Sequence, residues 1–160
     1  MADNVDASTR SRMMSGIKRR DTKPELVLRR GLQQLGFRHR LGENYRSDGS
    51  LLPGKPDLVY PKYRAVVQVN GCFWHRHNCH LFRWPSTREP FWREKLTGNA
   101  SRDARNIKKL EEDGWRVLVV WECSLKGRTR RSCAEVVNTA GNWLQFDLAS
   151  AEIDGKQSPA

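Results

Sequence analysis

A chain of 160 residues suits one domain with a real core, and 29 Lys plus Arg against 18 Asp plus Glu leave a formal net charge of +11 and a pI near 10.0. That balance argues for a polyanionic partner, of which nucleic acid is the commonest, over a solvated basic surface with no specific partner. No apolar run approaches the roughly 18 residues of a membrane span, and "MADNVDASTRSRMM" has no apolar signal core, so a cytosolic protein with no membrane partner is expected.

Residues 1–20 form a basic N-terminal arm, with Arg10, Arg12, Lys18, Arg19 and Arg20 beside Met13, Met14 and Ile17. The folded domain is expected over 21–148. Its first helix starts in "DTKPELVLRRGLQQLGF", where Thr22 and Glu25 fit a capping box, Pro24 lies in the first turn and Gly36 is the stop. "FRHRL" is a first strand, and "GENYRSDGSLLPGKP" a loop. "DLVY", the turn "PKYR" and "AVVQV" make a hairpin. Ser101 caps a helix through "RDARNIKKLEED", which ends at Gly114. "WRVLVVWE" is a buried strand, and a last helix covers 134–146. The tail, 149–160, reads as disordered. The order is α, β, β, β, α, β, α, a single α/β domain with a mixed sheet.

In a reducing compartment the four cysteines read as metal ligands or core residues rather than disulfides. "VNGCFWHRHNCH", residues 69–80, holds two cysteines and three histidines. Cys72, His77 and Cys79 follow C-x4-H-x-C spacing, and Cys123 ends the apolar strand. Three thiolates and an imidazole suit a closed tetrahedral zinc site. On spacing alone Cys123 also reads as a buried core cysteine and His80 as an alternative to His77. Cys133 reads as structural. His75, left over, is a candidate general base, with an ordinary pKa of about 6.5.

"KPDLVYPKYRAVVQVN" has the layout of a nuclease hairpin. In the PD-(D/E)-x-K pattern, an Asp on one strand and an acid-x-Lys on the next hold Mg2+ beside the scissile phosphate. Here Asp57 opens the first strand, but Gln68 stands at the second acid and Asn70 at the lysine. Pro-Asp alone is also a frequent turn start.

The blocks "TRSRMM", "RDTKPE", "LPGKPDLVY", "NGCFWHRHNCHLFRWP", "FWREKLTGNASRD" and "GWRVLVVWECSLKGR" occur in this order. Together, over roughly residues 8–146, they resemble the very short patch repair endonucleases, bacterial enzymes that nick DNA beside T:G mismatches. The resemblance implies a restriction-endonuclease-like α/β fold, with a PD-(D/E)xK-type core, a mixed β-sheet flanked by helices and a structural zinc on Cys72, His77, Cys79 and Cys123. It implies Mg2+ on Asp57 and the main-chain carbonyl of Val69, His75 as general base and Glu25 as the group orienting water at the metal. Phe73, Trp74 and Trp92 would wedge into the stack beside the mismatch, with Met14 entering from the other groove. Trp115 and Trp121 are left for the core. Asn70 departs from the histidine of the best-known members; it can position water or phosphate but is no base at neutral pH.

The implied reaction is hydrolysis of the phosphodiester 5′ of the mismatched thymine, in double-stranded DNA damaged by deamination of 5-methylcytosine. A repair polymerase and a cytosine methyltransferase would be functional companions, and one active site suffices, so a cytoplasmic bacterial monomer is expected. Two rivals share these residues: an endonuclease of relaxed or different specificity, and a non-catalytic zinc-stapled DNA-binding module.

Overall fold

The computed structural model describes residues 22–41 and 52–156. The N-terminal arm with Met14, most of the loop "GENYRSDGSLLPG" and residues 157–160 lie outside the described residues.

Helix α1 spans Lys23–Gln34. Thr22 accepts from the Glu25 N–H at 3.4 Å, and Pro24 sits in the first turn, as the capping pattern predicts. It ends in a Schellman arrangement. Gly36 takes φ +95° and donates to the Gln33 carbonyl, while Phe37 donates to that of Leu32. The Schellman turn thereby carries Phe37 back into the core, and the strand expected over "FRHRL" shrinks to β1, Arg40–Leu41.

β2 (Leu58–Tyr60) and β3 (Ala65–Asn70) form the predicted hairpin, Leu58 opposite Val67 and Tyr60 opposite Ala65. The "PKYR" turn is a 3-10 turn, with Arg64 at φ +46°. β4 (Arg116–Trp121) runs parallel to β3 over its whole length. Parallel neighbours need a crossover, and helix α2, Glu89–Glu112, supplies it. The sheet order is β1-β2-β3-β4-β5, antiparallel on the hairpin side and parallel from β3 onward.

Helices cover both faces. Leu28 and Leu32 of α1 and Val136, Ala140 and Leu144 of α3 (Cys133–Gln145) pack on Leu58, Val67, Leu118 and Val120. Gly31 lets α1 and α3 touch: a Cβ there would lie 2.8 Å from Cγ1 of Val137. On the opposite face Val59, Val66, Val117 and Val119 meet Leu110 of α2, together with Trp115, Trp121, Cys72 and Cys123. The even distribution of buried residues along β3 and β4 follows from this double cover.

Three expectations are corrected. α2 begins at Glu89, not at Ser101, which sits exposed in its interior. Gly98 costs helix propensity, yet burial of Trp92 and Leu96 one turn apart carries the helix through it. The segment from 149 is not a disordered tail throughout: Ala151–Ile153 forms β5, parallel to β4, with Ile153 buried. Its pairing covers the edge of β4, a gain that composition does not reveal. Cys133, read as structural, is exposed at the start of α3, where Ser132 caps the helix.

Candidate active site and metal centre

Asp57 lies just before β2, where the hairpin opens toward its neighbours. Its Oδ2 accepts from the Val69 N–H at 2.7 Å, which ties the two strands together at the site. Glu25, only 2 % exposed in the first turn of α1, hydrogen-bonds to Asp57, and Arg29 lies 3.9 Å from its Oε2. Burial, and then the Glu25 carboxylate, push the Asp57 carboxyl up to about 8, against the pull of the Val69 N–H. The structure thus brings Asp57 and Glu25 together, with the Glu25 N–H capped by Thr22 and its carboxyl meeting Asp57.

Asp57, Gln68, Val69, Asn70 and His75 line one cavity of about 260 Å³, with Gly54, Lys55, Asp103 and Asn106. Gln68 and Asn70 are buried, 8 % and 6 % exposed. His75 Nδ1 and Asp103 Oδ2 are hydrogen-bonded at 2.5 Å. A carboxylate on one ring nitrogen fixes the imidazole and leaves Nε2 for proton transfer. Sequence reasoning missed Asp103. It is one acid among many on a polar helix, and the only clue was chemical: a histidine base needs an orienting partner. Lys55 and Asn106 also line the cavity, and nothing in the sequence singled them out.

Beside this cavity, Cys72, His77, Cys79 and Cys123 place their ligand atoms within 4.8 Å of one another. His77 Nδ1 lies 3.6 Å from the sulfurs of both Cys72 and Cys123. Its ring stacks on Trp121 at 4.0 Å and 10°. Burial lowers the His77 pKa, against the pull of Asp154 and Glu152, so the neutral ring a metal needs is favoured. Burial pushes the Cys72 and Cys123 thiols up, against the pull of the Cys123 and Gly155 N–H groups, and the Cys79 thiol adds to the rise at both. Four donors this close, three of them sulfurs that repel as thiolates, form a site for a cation. His80 stays outside it, 3.4 Å from Thr129 Oγ1. The cluster joins the end of β3 to the end of β4, and the Cys72 N–H donates to Glu122 at 3.2 Å.

The loop between the two sites carries the aromatics. Phe73 meets Trp74 and Trp92 edge-on at 5.1 and 5.6 Å, and Trp74 lies 6.1 Å from Trp92. Trp92 is buried, while Phe73 and Trp74 are half-buried. Asn99 of α2 donates to the Trp74 carbonyl at 3.0 Å and holds the loop. Phe82 and Trp84 extend the cluster, with Arg93 over the Trp84 ring. Trp115 and Trp121 are buried, as expected of core residues.

Fold, paired carboxylates, the His75–Asp103 pair and the thiol cluster define an α/β protein with a polar cleft beside a Cys/His set able to hold a metal ion. Comparison with known proteins gives the family. Residues 2–81 match the family model described as DNA mismatch endonuclease Vsr. The chain is 45% identical over 154 residues to the DNA mismatch endonuclease Vsr of Escherichia coli, covering 96% of this chain and 95% of that one. It is 41% identical over 138 residues to the type II nicking enzyme V.NmeAIP of Neisseria meningitidis, covering 86% and 93%. A third relative, the type II nicking enzyme V.XorIIP of Xanthomonas oryzae, is 40% identical over 125 residues, covering 78% and 88%. The chain belongs to the Vsr mismatch endonuclease family.

Proposed function

We propose that the chain is a Mg2+-dependent, strand-specific nickase that hydrolyses the phosphodiester 5′ of the thymine in T:G mismatches. The observation that carries this reading is the convergence of Asp57 and the His75–Asp103 pair on one cleft, with Glu25 bonded to Asp57 and the aromatic loop alongside. Relatives named as mismatch and nicking endonucleases support it, as does the charge of +11.

Two carboxyl groups buried side by side fit a hard divalent cation, which would offset their repulsion. Asp57 and the Val69 carbonyl would hold Mg2+, which supplies polarisation of the scissile phosphate. The chain's own groups do the rest. His75 Nε2 takes a proton from the attacking water, and Asp103 holds the ring and stabilises its cationic form. Glu25 accepts a hydrogen bond from that water and sets its approach. Asn70 offers an amide to water or phosphate but takes no proton, so His75 is the single base. The P–O3′ bond breaks as the water oxygen bonds to phosphorus, and the leaving 3′-oxygen takes a proton from solvent water, giving a 3′-hydroxyl and a 5′-phosphate.

Zn2+ on Cys72, His77, Cys79 and Cys123 fits the sulfur-rich donor set and has a structural role, fixing the loop that presents His75. Phe73 and Trp74, backed by Trp92, wedge beside the weakly stacked wobble pair, with Met14 of the N-terminal arm opposite. The protein acts as a cytoplasmic bacterial monomer, with a cytosine methyltransferase upstream and a repair polymerase downstream. Among the described residues no helix is long and apolar enough to cross a membrane.

The test is a nicking assay with Mg2+ on T:G duplexes in varied flanks, against T:A and C:G controls. Nicking of the thymine strand, lost in Asp57→Ala and His75→Ala with duplex binding retained, is the expected result. Equal cutting of matched duplexes would mean relaxed specificity. Binding without cutting in any flank would mean a non-catalytic DNA-binding module.

A further inference from the structure

The cleft is rich in acids and amides, and a phosphodiester entering it needs positive charge. On β3 the lysine place of the nuclease hairpin holds Asn70, buried and neutral. Among the described residues that line the cavity, Lys55 is the one permanently cationic side chain, and Asp57, His75 and Asp103 share that lining. Among the described residues its ammonium has no carboxylate partner.

The backbone at Lys55 is unusual in two respects. Its φ is +47°, in the left-handed region that disfavours a side chain, and Pro56 follows, which pushes the preceding residue toward extended conformations. The surroundings hold it there. The Lys55 N–H donates to the Leu52 carbonyl at 3.1 Å, and Leu52 is anchored in the core at 2 % exposure. Gly54, at φ +76°, lies so close to α2 that a Cβ would be 3.1 Å from the Asn106 amide. A non-glycine residue kept in such a conformation at the mouth of a cleft points to a task for its side chain.

We infer that Lys55 supplies the cation missing from the hairpin's lysine place, its Nζ donating to a non-bridging oxygen of the scissile phosphate. It enters from the turn before Asp57 rather than from β3. It moves no proton: it stabilises the negative charge that builds on phosphorus-bound oxygen as water adds and the 3′-oxygen leaves. The inference rests on the nickase reading for its substrate, so its test has an arm that does not depend on cleavage.

The full-length protein, Lys55→Ala and Lys55→Arg are compared in two measurements. Single-turnover nicking of a T:G duplex is expected to slow by roughly 100-fold in Lys55→Ala and to recover at least tenfold in Lys55→Arg. Duplex affinity is then measured with Ca2+ for a normal scissile phosphate and for a neutral methylphosphonate there. The unmodified protein should prefer the phosphate by several-fold and Lys55→Ala should lose that preference. If Lys55→Ala slows but keeps the preference, the residue only shapes the turn and the contact is refuted. Unchanged rate and preference in Lys55→Ala overturn it as well. Absence of nicking by the unmodified protein counts against the nickase reading, while the methylphosphonate arm still decides the phosphate contact.

Discussion

Two clusters of metal-type donors sit at the same end of the sheet, joined by the loop from Gly71 to His80, and their donor atoms are opposite in kind. The Cys72–His77–Cys79–Cys123 set is sulfur-rich, with Cys72 and Cys123 buried, Cys79 and His77 half-buried beside a cavity of about 280 Å³, and the ring of His77 stacked on Trp121. The Asp57–Glu25 pair is oxygen-rich and gives onto a cavity of about 260 Å³ lined by polar groups. Four protein donors leave a soft ion no free position, a closed site that holds structure, whereas two carboxylates leave a hard ion positions open to phosphate and water. The loop makes one depend on the other, since His75 lies two residues from His77 and bonds to Asp103 across on α2.

The strongest way to break this comparison is to open the closed site. Cys123→Ser, or chelation of the cluster, should lower the melting temperature by roughly 10 °C or more and abolish both nicking and duplex binding. Elemental analysis should find one zinc per chain in the unmodified protein. A variant that loses the zinc yet melts and nicks normally would end the structural role assigned to the cluster.

Next in size is the dyad. Asp103→Asn keeps the shape but removes the charge that holds the His75 ring. Nicking should fall by roughly 100-fold or more, with duplex affinity within about threefold of the unmodified protein. The melting temperature should barely move, in contrast to Cys123→Ser. Equal losses of rate and affinity would show instead that Asp103 belongs to the DNA surface.

A smaller effect is expected where the C-terminal segment covers the closed site. The Gly155 N–H donates to Cys123 Sγ at 3.4 Å, and a Cβ there would lie 2.8 Å from the Cys123 carbonyl and clash with Thr129 Oγ1. Gly155→Ala should cost about 1–3 kcal/mol in chemical unfolding and speed zinc loss to a chelator. Unchanged stability would mean that the segment after β5 does not bear on the cluster.

Much of this was legible from residue order alone, for physical reasons that differ along the chain. Thr22, Pro24 and Gly36 bound α1 because caps are local chemistry, and β3 and β4 read as strands because cover on both faces demands unbroken apolar runs. Spacing made Cys72, His77 and Cys79 candidates but left His80 and a core role for Cys123 open; the family resemblance named the four that the fold brings within 4.8 Å. Asp103 was not readable, since its meaning lies in a contact with His75 across 28 residues. The first three turns of α2 and the strand β5 were hidden likewise. Trp92, Leu96 and Ile153 draw their stabilisation from a sheet and neighbours that no window of sequence contains.

The last and smallest effect sharpens the open site. With no divalent ion, Asp57 in the folded protein holds its proton up to about 8, above the ordinary value of 3.8. A raised folded pKa contributes stability that is full below the unfolded value and is lost as pH rises through the folded one. The melting temperature of the ion-free protein should therefore fall by a few degrees between about pH 5 and pH 8.5. Asp57→Asn, which cannot ionise, should flatten that slope. Mg2+ binds the anion, so its stabilising effect should grow over the same interval and be absent in Asp57→Asn. Chelator-treated protein, scanned with and without millimolar Mg2+, would show this directly. The same slope in both proteins would place the titration elsewhere and remove the case that the buried pair awaits a cation.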